Sequence, residues 1–191
     1  MRIKCCGITR REDAICAEAC GADAIGVVVC SPPSVRSVSL ERAQEIFDST
    51  GPCTTTVAVT HTTSLSDLEQ ILALQPDALQ ISYPFTFGYK PGPKVIRVIG
   101  QNDPLPSDCD ALIVDESHGS GRPFDFTCAR QAVISSQVPV ILAGGLTPEN
   151  VAEAIRQVHP YAVDVASGIE SAPGIKDHGK IAAFVAAARS A

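Results

Sequence analysis

The sequence predicts a closed (β/α)8 barrel of the TIM type, and three observations carry that reading. Eight short apolar runs punctuate the chain at residues 2–6, 23–29, 54–60, 78–82, 94–99, 110–115, 138–143 and 161–165. Most gaps between them hold a helical pattern with a start signal, and repeated strand–helix alternation points to a barrel. The last two runs, VPVILAGG (138–145) and YAVDVASG (161–168), end in tight glycine turns. Glycine has no Cβ, so backbone N–H groups can approach an anion closely there, beside helix N-termini. Gly144, Gly145, Ser167 and Gly168 are therefore expected to hold the phosphate of a phosphorylated small molecule. An open doubly wound sheet tolerates the same alternation. Eight units within 191 residues, with the phosphate turns last, favour the barrel.

The elements follow in order. Thr9 with Glu12, and Ser66 with Glu69, have capping-box spacing ahead of the first and third helical patterns. Ser39 is placed to cap the helix through Ala43 and Ile46. Thr147-Pro148 sets a cap residue before a proline suited to a first helical position. An Ala-rich helix is expected around 177–189. The middle departs from this regularity. YPFTFGYKPGP (83–93) and QNDPLPSD (101–108) carry too much Pro and Gly for ordinary helices, so short or irregular crossovers are expected after strands four and five.

The chain is expected to form one domain over residues 1–191. Its hydrophobic content is 45% with no Trp, so Val, Ile, Leu and Ala build the core, as in buried parallel strands. A net charge of −6 with scattered basic residues argues against nucleic acid as a partner. Met1-Arg2-Ile3-Lys4 leads straight into a strand, with neither a signal region nor a membrane span, so the expected location is cytoplasmic. The eight cysteines (5, 6, 16, 20, 30, 53, 109 and 128) include no C-x-x-C pair. Cys16 and Cys20 share a helical face, but no matching pair completes a tetrahedral site, and no metal is expected.

Alternation along the strands singles out one thiol. Inward and outward side chains alternate along a barrel strand. In RIKCC, Ile3 suits the strand–helix layer with Cys5, which turns Lys4 and Cys6 to the barrel interior. In strand eight, Val163 and Val165 take the outer face and Asp164 points inward. Closure makes strands one and eight neighbours, so Lys4 and Asp164 are expected to interact, since each would be costly to bury alone. A nearby lysine could lower the pKa of Cys6. An inert buried thiol above an internal ion pair is the competing reading.

These residues also carry a family resemblance. KCCGITR (4–10), GADAIG (21–26), GSGRPFDF (119–126), LAGGLTPENV (142–151) and VDVASGIESAPGIKD (163–177) resemble, in order, the blocks of the phosphoribosylanthranilate isomerase family. The resemblance implies a (β/α)8 barrel that performs, without a cofactor, an Amadori rearrangement in tryptophan biosynthesis. It implies Cys6 as general base and Asp125 as general acid, with Arg36 on the anthranilate carboxylate. Asp164 would orient substrate hydroxyls, or only pair with Lys4. Asp125 also precedes a helical pattern beginning near Phe126 and could be its N-cap, which would lower its pKa and oppose proton donation. Relatives in this fold family occur as monomers or homodimers.

Three departures from the family pattern stand out. Where Q-L-H-G is usual after strand four, the chain has Gln80-Ile81-Ser82-Tyr83, so serine replaces the histidine. The usual G-V-F after strand three is Val59-Thr60-His61. His118 stands where a glycine is common in the loop His118-Gly119-Ser120-Gly121; a loop histidine is an alternative base, though more often a solvated bystander. The rival functions are another phosphosugar barrel, such as indole-glycerol-phosphate synthase, and a noncatalytic barrel that keeps the phosphate cradle. The former usually has an N-terminal extension before strand one, whereas here the first strand is expected to start at Arg2, and retention of Cys6 and Asp125 opposes the latter.

Overall fold

Eight parallel strands close on themselves. The computed structural model describes residues 1–87, 92–100, 103–115 and 126–191. The barrel strands are β1 (Arg2–Cys6), β2 (Ala24–Val29), β3 (Thr55–Thr60), β4 (Ala78–Ile81), β5 (Lys94–Ile99), β6 (Ala111–Asp115), β7 (Val140–Ala143) and β8 (Ala162–Val165). Each pairs in parallel with the next, and β1 pairs with both β2 (Lys4 opposite Ala24) and β8 (Lys4 opposite Asp164). That double pairing leaves no edge and excludes the open sheet. A two-residue strand, Ser37–Val38, adds to the end of β2.

Among the described residues six α-helices pack outside: α1 (Arg11–Cys20), α2 (Leu40–Phe47), α3 (Leu65–Ala73), α4 (Thr127–Ser135), α5 (Val151–Val158) and α6 (His178–Arg189). The alternation divides the apolar residues into two clusters. Val57, Val59, Ile96, Ile113 and Ile141 fill the barrel with Cys6. Ile3, Cys5, Val163 and Val165 pack outward against the helices. No helix among the described residues is long and apolar enough to cross a membrane.

The helix starts match the sequence in part. Ser39 accepts from Arg42 N–H and caps α2, as expected, and Asp177 caps α6 through Lys180 N–H. The two capping boxes are not formed. The α3 cap is Ser64, two residues before Ser66, accepting from Asp67 N–H. At α1 the cap position is Arg10, without a side-chain bond, because the Thr9 hydroxyl is turned to the carbonyl of Gly174. Thr147-Pro148 opens a turn rather than α5 itself: the Thr147 carbonyl accepts from Val151 N–H, and the helix begins there.

A repeated device sets the N-terminal ends of the strands. Asp23, Asp77 and Asp110 each precede an alanine that begins an even-numbered strand. Each carboxylate accepts the N–H of the second residue of the preceding strand: Ile3 at 2.8 Å, Thr56 at 2.8 Å and Val95 at 3.0 Å. These N–H groups start strands and would otherwise need water. Tyr161 takes the fourth such position, under the Arg2 guanidinium 4.4 Å from its ring. Ala24, Ala78, Ala111 and Ala162 are too small to close this end, and a funnel of about 670 Å³ opens there, opposite the strand C-termini.

Among the described residues no helix separates β4 from β5 or β5 from β6; residues 88–91 and 101–102 of the crossovers expected over 83–93 and 101–108 lie outside the described residues. Without a helix, backbone carbonyls there need donors from elsewhere. Arg97, on the outer face of β5, supplies them. Its guanidinium donates to the Tyr83 and Phe85 carbonyls at 2.9 and 2.7 Å and to Asp108 at 2.6 Å. Replacing Arg97 by Met keeps an apolar stem but strands these acceptors. Arg97→Met is expected to lower unfolding free energy by roughly 2–4 kcal/mol. Urea denaturation should show a lower midpoint with an unchanged slope, and an unchanged midpoint would refute this role for the guanidinium.

Candidate active site

The C-terminal rim of the barrel gathers the polar residues picked out by alternation. Lys4, Cys6 and Asp164 are all buried and inward-facing. Lys4 Nζ lies 2.9 Å from Asp164 Oδ1, so the ion pair anticipated between neighbouring strands is formed. Its second acceptor is Gln80 Oε1 on β4, also at 2.9 Å. Gln80 was named in the sequence only as the start of the segment set against Q-L-H-G, with no contact assigned to it, although a polar residue two places after Ala78 on an inward face is the same signal that selected Asp164.

Glycine makes room for this cluster. A Cβ on Gly26, across from Cys6 in β2, would stand 2.9 Å from Cys6 Sγ and 3.1 Å from Lys4 Cε and Nζ. The second glycine of GADAIG therefore serves the residues of β1, not a turn.

Electrostatics separate the two adjacent thiols. Burial drives Cys5 up to about 12, with the Asp164 charge adding to it, so it stays a thiol. Burial and the Asp164 carboxylate also raise Cys6, while the Lys4 ammonium pulls it down. The net direction is upward, so Lys4 moderates the cost of ionising Cys6 without cancelling it. Lys4 itself is held above its ordinary range: burial opposes its charge, and Asp164 and Cys6 overcome that opposition. Lys4 is therefore charged at neutral pH. Burial pushes Asp164 upward, and Lys4 offsets that push only in part.

Arg36 reaches the same rim. Gly7 has φ +68 where the chain leaves β1, and a Cβ there would come within 2.6 Å of Arg36 Cδ, so the arginine stem lies across the residue after Cys6. Its fork is already engaged, with Nε and Nη2 each donating to Glu170 at 2.7 Å. Lys176 Nζ donates to Glu170 Oε1 at 3.0 Å and to the Ala166 carbonyl at 2.9 Å. Burial pushes Glu170 up, but the bonds from Arg36 and Lys176 hold it below the ordinary carboxylate range. Neither Glu170 nor Lys176 drew notice in the sequence, because nothing local to SGIESAPGIKD signals a partner more than a hundred residues earlier.

The turns after β7 and β8 meet. Gly144 and Gly145 have φ of +93 and +58, which other residues adopt at a cost. Ser167 opens a three-residue 3₁₀ turn, Ser167–Ile169. A Cβ on Gly168 would fall 1.9 Å from the Leu146 carbonyl oxygen, so this glycine is demanded by contact between the two turns. Asn150 braces the first turn, donating to the Gly145 carbonyl at 3.0 Å and accepting from Thr147 N–H at 2.8 Å.

Comparison with known proteins settles the family. The model of the N-(5'-phosphoribosyl)anthranilate (PRA) isomerase family matches residues 102–187. The N-(5'-phosphoribosyl)anthranilate isomerase of Methanoregula boonei is 63% identical over 191 residues, covering 100% of this chain and 98% of its own. The chain belongs to the phosphoribosylanthranilate isomerase family. Among solved structures, TrpF from Jonesia denitrificans superposes with a TM-score of 0.85 at 35% identity, covering 100% of this chain and 97% of that one. A phosphoribosyl anthranilate isomerase in complex with reduced 1-(o-carboxyphenylamino)-1-deoxyribulose 5-phosphate superposes with a TM-score of 0.79 at 30% identity, each chain fully covered.

Asp125, read as the acid, and His118, read as an alternative base, lie outside the described residues. The N-cap position of α4 is Phe126, without a side-chain bond of its own, and the reading of Asp125 as the cap of this helix likewise lies outside the described residues. At the end of β4, Ser82, which stands where the family resemblance implies histidine, bonds the imidazole of His61 from the end of β3, with Nδ1 to Oγ at 3.0 Å.

Proposed function

We propose that this chain converts N-(5'-phosphoribosyl)anthranilate to 1-(2-carboxyphenylamino)-1-deoxyribulose 5-phosphate in tryptophan biosynthesis, with Cys6 as general base and Asp125 as general acid. The observation that carries the residue assignment is the inward thiol of Cys6 at the end of β1, beside a charged Lys4. The Asp125 assignment rests on the family's F-D block.

Asp125 gives its proton to the ribose ring oxygen as the bond from that oxygen to C1 breaks. The anthranilate nitrogen supplies the electron pair, and the open form is an iminium. The Cys6 thiolate then removes the proton at C2, and the C–H electrons form the C1–C2 double bond of an enolamine. Tautomerisation adds a proton at C1 and removes one from the C2 hydroxyl, leaving the ketone. C1 is reduced and C2 oxidised within one molecule, so the electrons balance with no redox cofactor.

The upward shift of Cys6 suits this order of events. A thiolate that is hard to form is a stronger base once formed. The iminium adds a positive charge near the thiol when the base is needed, and an opposite charge favours ionisation. Lys4 provides a permanent share of the same effect.

The phosphate is assigned to the turns after β7 and β8, where Gly144 and Gly145 expose backbone beside Ser167 and Gly168. Arg36 is assigned to the anthranilate carboxylate through the guanidinium edge that Glu170 leaves open. Asp164 is assigned to Lys4 first, with substrate hydroxyls within reach only of its remaining oxygen lone pairs.

The test is turnover of freshly generated phosphoribosylanthranilate, followed by its loss of fluorescence. Wild type is expected to be active, and Asp125→Asn to lose ~10²- to 10⁴-fold in kcat/KM. Inactivity of correctly folded wild type would transfer the site to another phosphosugar or to a noncatalytic ligand.

A further inference from the structure

We propose that His61, oriented by Ser82, is a specificity-determining residue that holds the carboxylate of the substrate's aromatic end. The proposal rests on the isomerase reading above and deepens it.

Alternation places both residues at the mouth of the barrel. Val57 and Val59 belong to the interior cluster of β3, and His61 is the next residue of that inward series. On β4, Gln80 reaches Lys4 in the interior, and Ser82 is the next inward residue. Val59 pairs with Gln80 in register, so His61 and Ser82 stand side by side one step higher, and both are exposed. The backbone is held as well. His61 N–H donates to Ser31 Oγ at 2.9 Å, and that buried hydroxyl donates in turn to the Val29 carbonyl at 3.0 Å. The imidazole is thus fixed at both its root and its Nδ1. In the tautomer in which Ser82 donates to Nδ1, the ring proton resides on Nε2 and faces an acceptor.

Position around the ring identifies that acceptor. In the order β1 to β8, strands three and four lie directly across the mouth from strands seven and eight. The substrate is elongated, with a phosphate at one end, the sugar between, and a benzoate at the other. A phosphate in the glycine turns after β7 and β8 sends the benzoate across the mouth toward the ends of β3 and β4. Glu170 already occupies Nε and one hydrogen of Nη2, which leaves Arg36 its Nη1/Nη2 edge for the carboxylate. The Nε2 of His61, from the neighbouring strand end, adds a further donor to the same group.

The experiment compares two stable probes on the whole protein. One is reduced 1-(o-carboxyphenylamino)-1-deoxyribulose 5-phosphate. The other is the same compound with hydrogen in place of the carboxylate. His61→Ala should weaken binding of the first by roughly ten- to a hundredfold, the scale of one hydrogen bond to a charged group, and leave the second unchanged. Ser82→Ala should shift the ratio in the same direction by less, through looser orientation of the ring. Equal losses for both probes would make His61 merely structural and overturn the proposal, as would no loss for either. Wild type that turns over phosphoribosylanthranilate while His61→Ala keeps the full ratio would sink this inference alone. Wild type that binds neither probe and lacks turnover would remove the isomerase reading with it.

Discussion

Serine at position 6 is expected to lower kcat/KM by ~10²- to 10⁴-fold, the usual worth of a positioned proton-transfer group. A serine hydroxyl occupies nearly the same space but ionises far less readily than a thiol. Cys5→Ser is the matched control. Cys5 is fully buried in the strand–helix layer, so serine there buries an extra polar group, with a stability cost of about 1–3 kcal/mol, and does not touch the mouth of the barrel. The pH dependence provides a sharper signature. A thiolate base is active above its own pKa, and kcat/KM reports the free protein. Burial first, and then the Asp164 charge, raise Cys6, so kcat/KM should climb with pH along a limb above the ordinary thiol value of about 8.5. Lys4→Met removes the charge that pulls Cys6 down and should move that limb to higher pH. Asp164→Asn removes a charge that pushes it up and should move the limb lower. Opposite shifts are the expected result; a limb that neither substitution moves would exclude Cys6 as the titrating base.

Gly168→Ala is expected to be the most damaging glycine-to-alanine change among the described residues whose clearance is known. Its Cβ would stand 1.9 Å from the Leu146 carbonyl oxygen, and that oxygen belongs to backbone that cannot rotate aside as a side chain can. The turns after β7 and β8 must separate, with a stability loss of about 3 kcal/mol or more. Gly145→Ala provides the comparison. Its φ of +58 makes a side chain costly by roughly 1–2 kcal/mol. If the paired turns bind phosphate, both variants should lose affinity for inorganic phosphate and for the reduced product analogue, with Gly168→Ala losing more. Urea midpoints and titration calorimetry measure the two effects separately. Undiminished phosphate affinity in Gly168→Ala protein that remains folded would remove the phosphate from these turns.

Much of this architecture is legible because its causes are periodic. The inward and outward alternation in RIKCC and YAVDVASG sorted Cys6 from Cys5 and Asp164 from its neighbouring valines, and the two apolar clusters divide in that way. The Pro- and Gly-rich crossovers after β4 and β5 were also readable, since those residues bar ordinary helices locally. Capping was less so. Thr9 and Ser66 have suitable spacing, but a hydroxyl caps a helix only if no better acceptor or turn claims it. Thr9 is claimed by Gly174, which lies 165 residues away.

The sequence by itself determined the barrel, the inward thiol, the ion pair across the closing strands and the glycine turns, because each depends on local period or on the neighbour relation that closure imposes. Only the tertiary structure decided how these groups are occupied. It gave Lys4 a second acceptor in Gln80, filled the Arg36 fork with Glu170, and brought His61 against Ser82. It also showed Gly168 to be needed by the Leu146 carbonyl and Gly26 by Cys6 and Lys4. Those contacts join residues on different strands and loops, and their partners are set by the register and closure of the barrel, which no local pattern encodes.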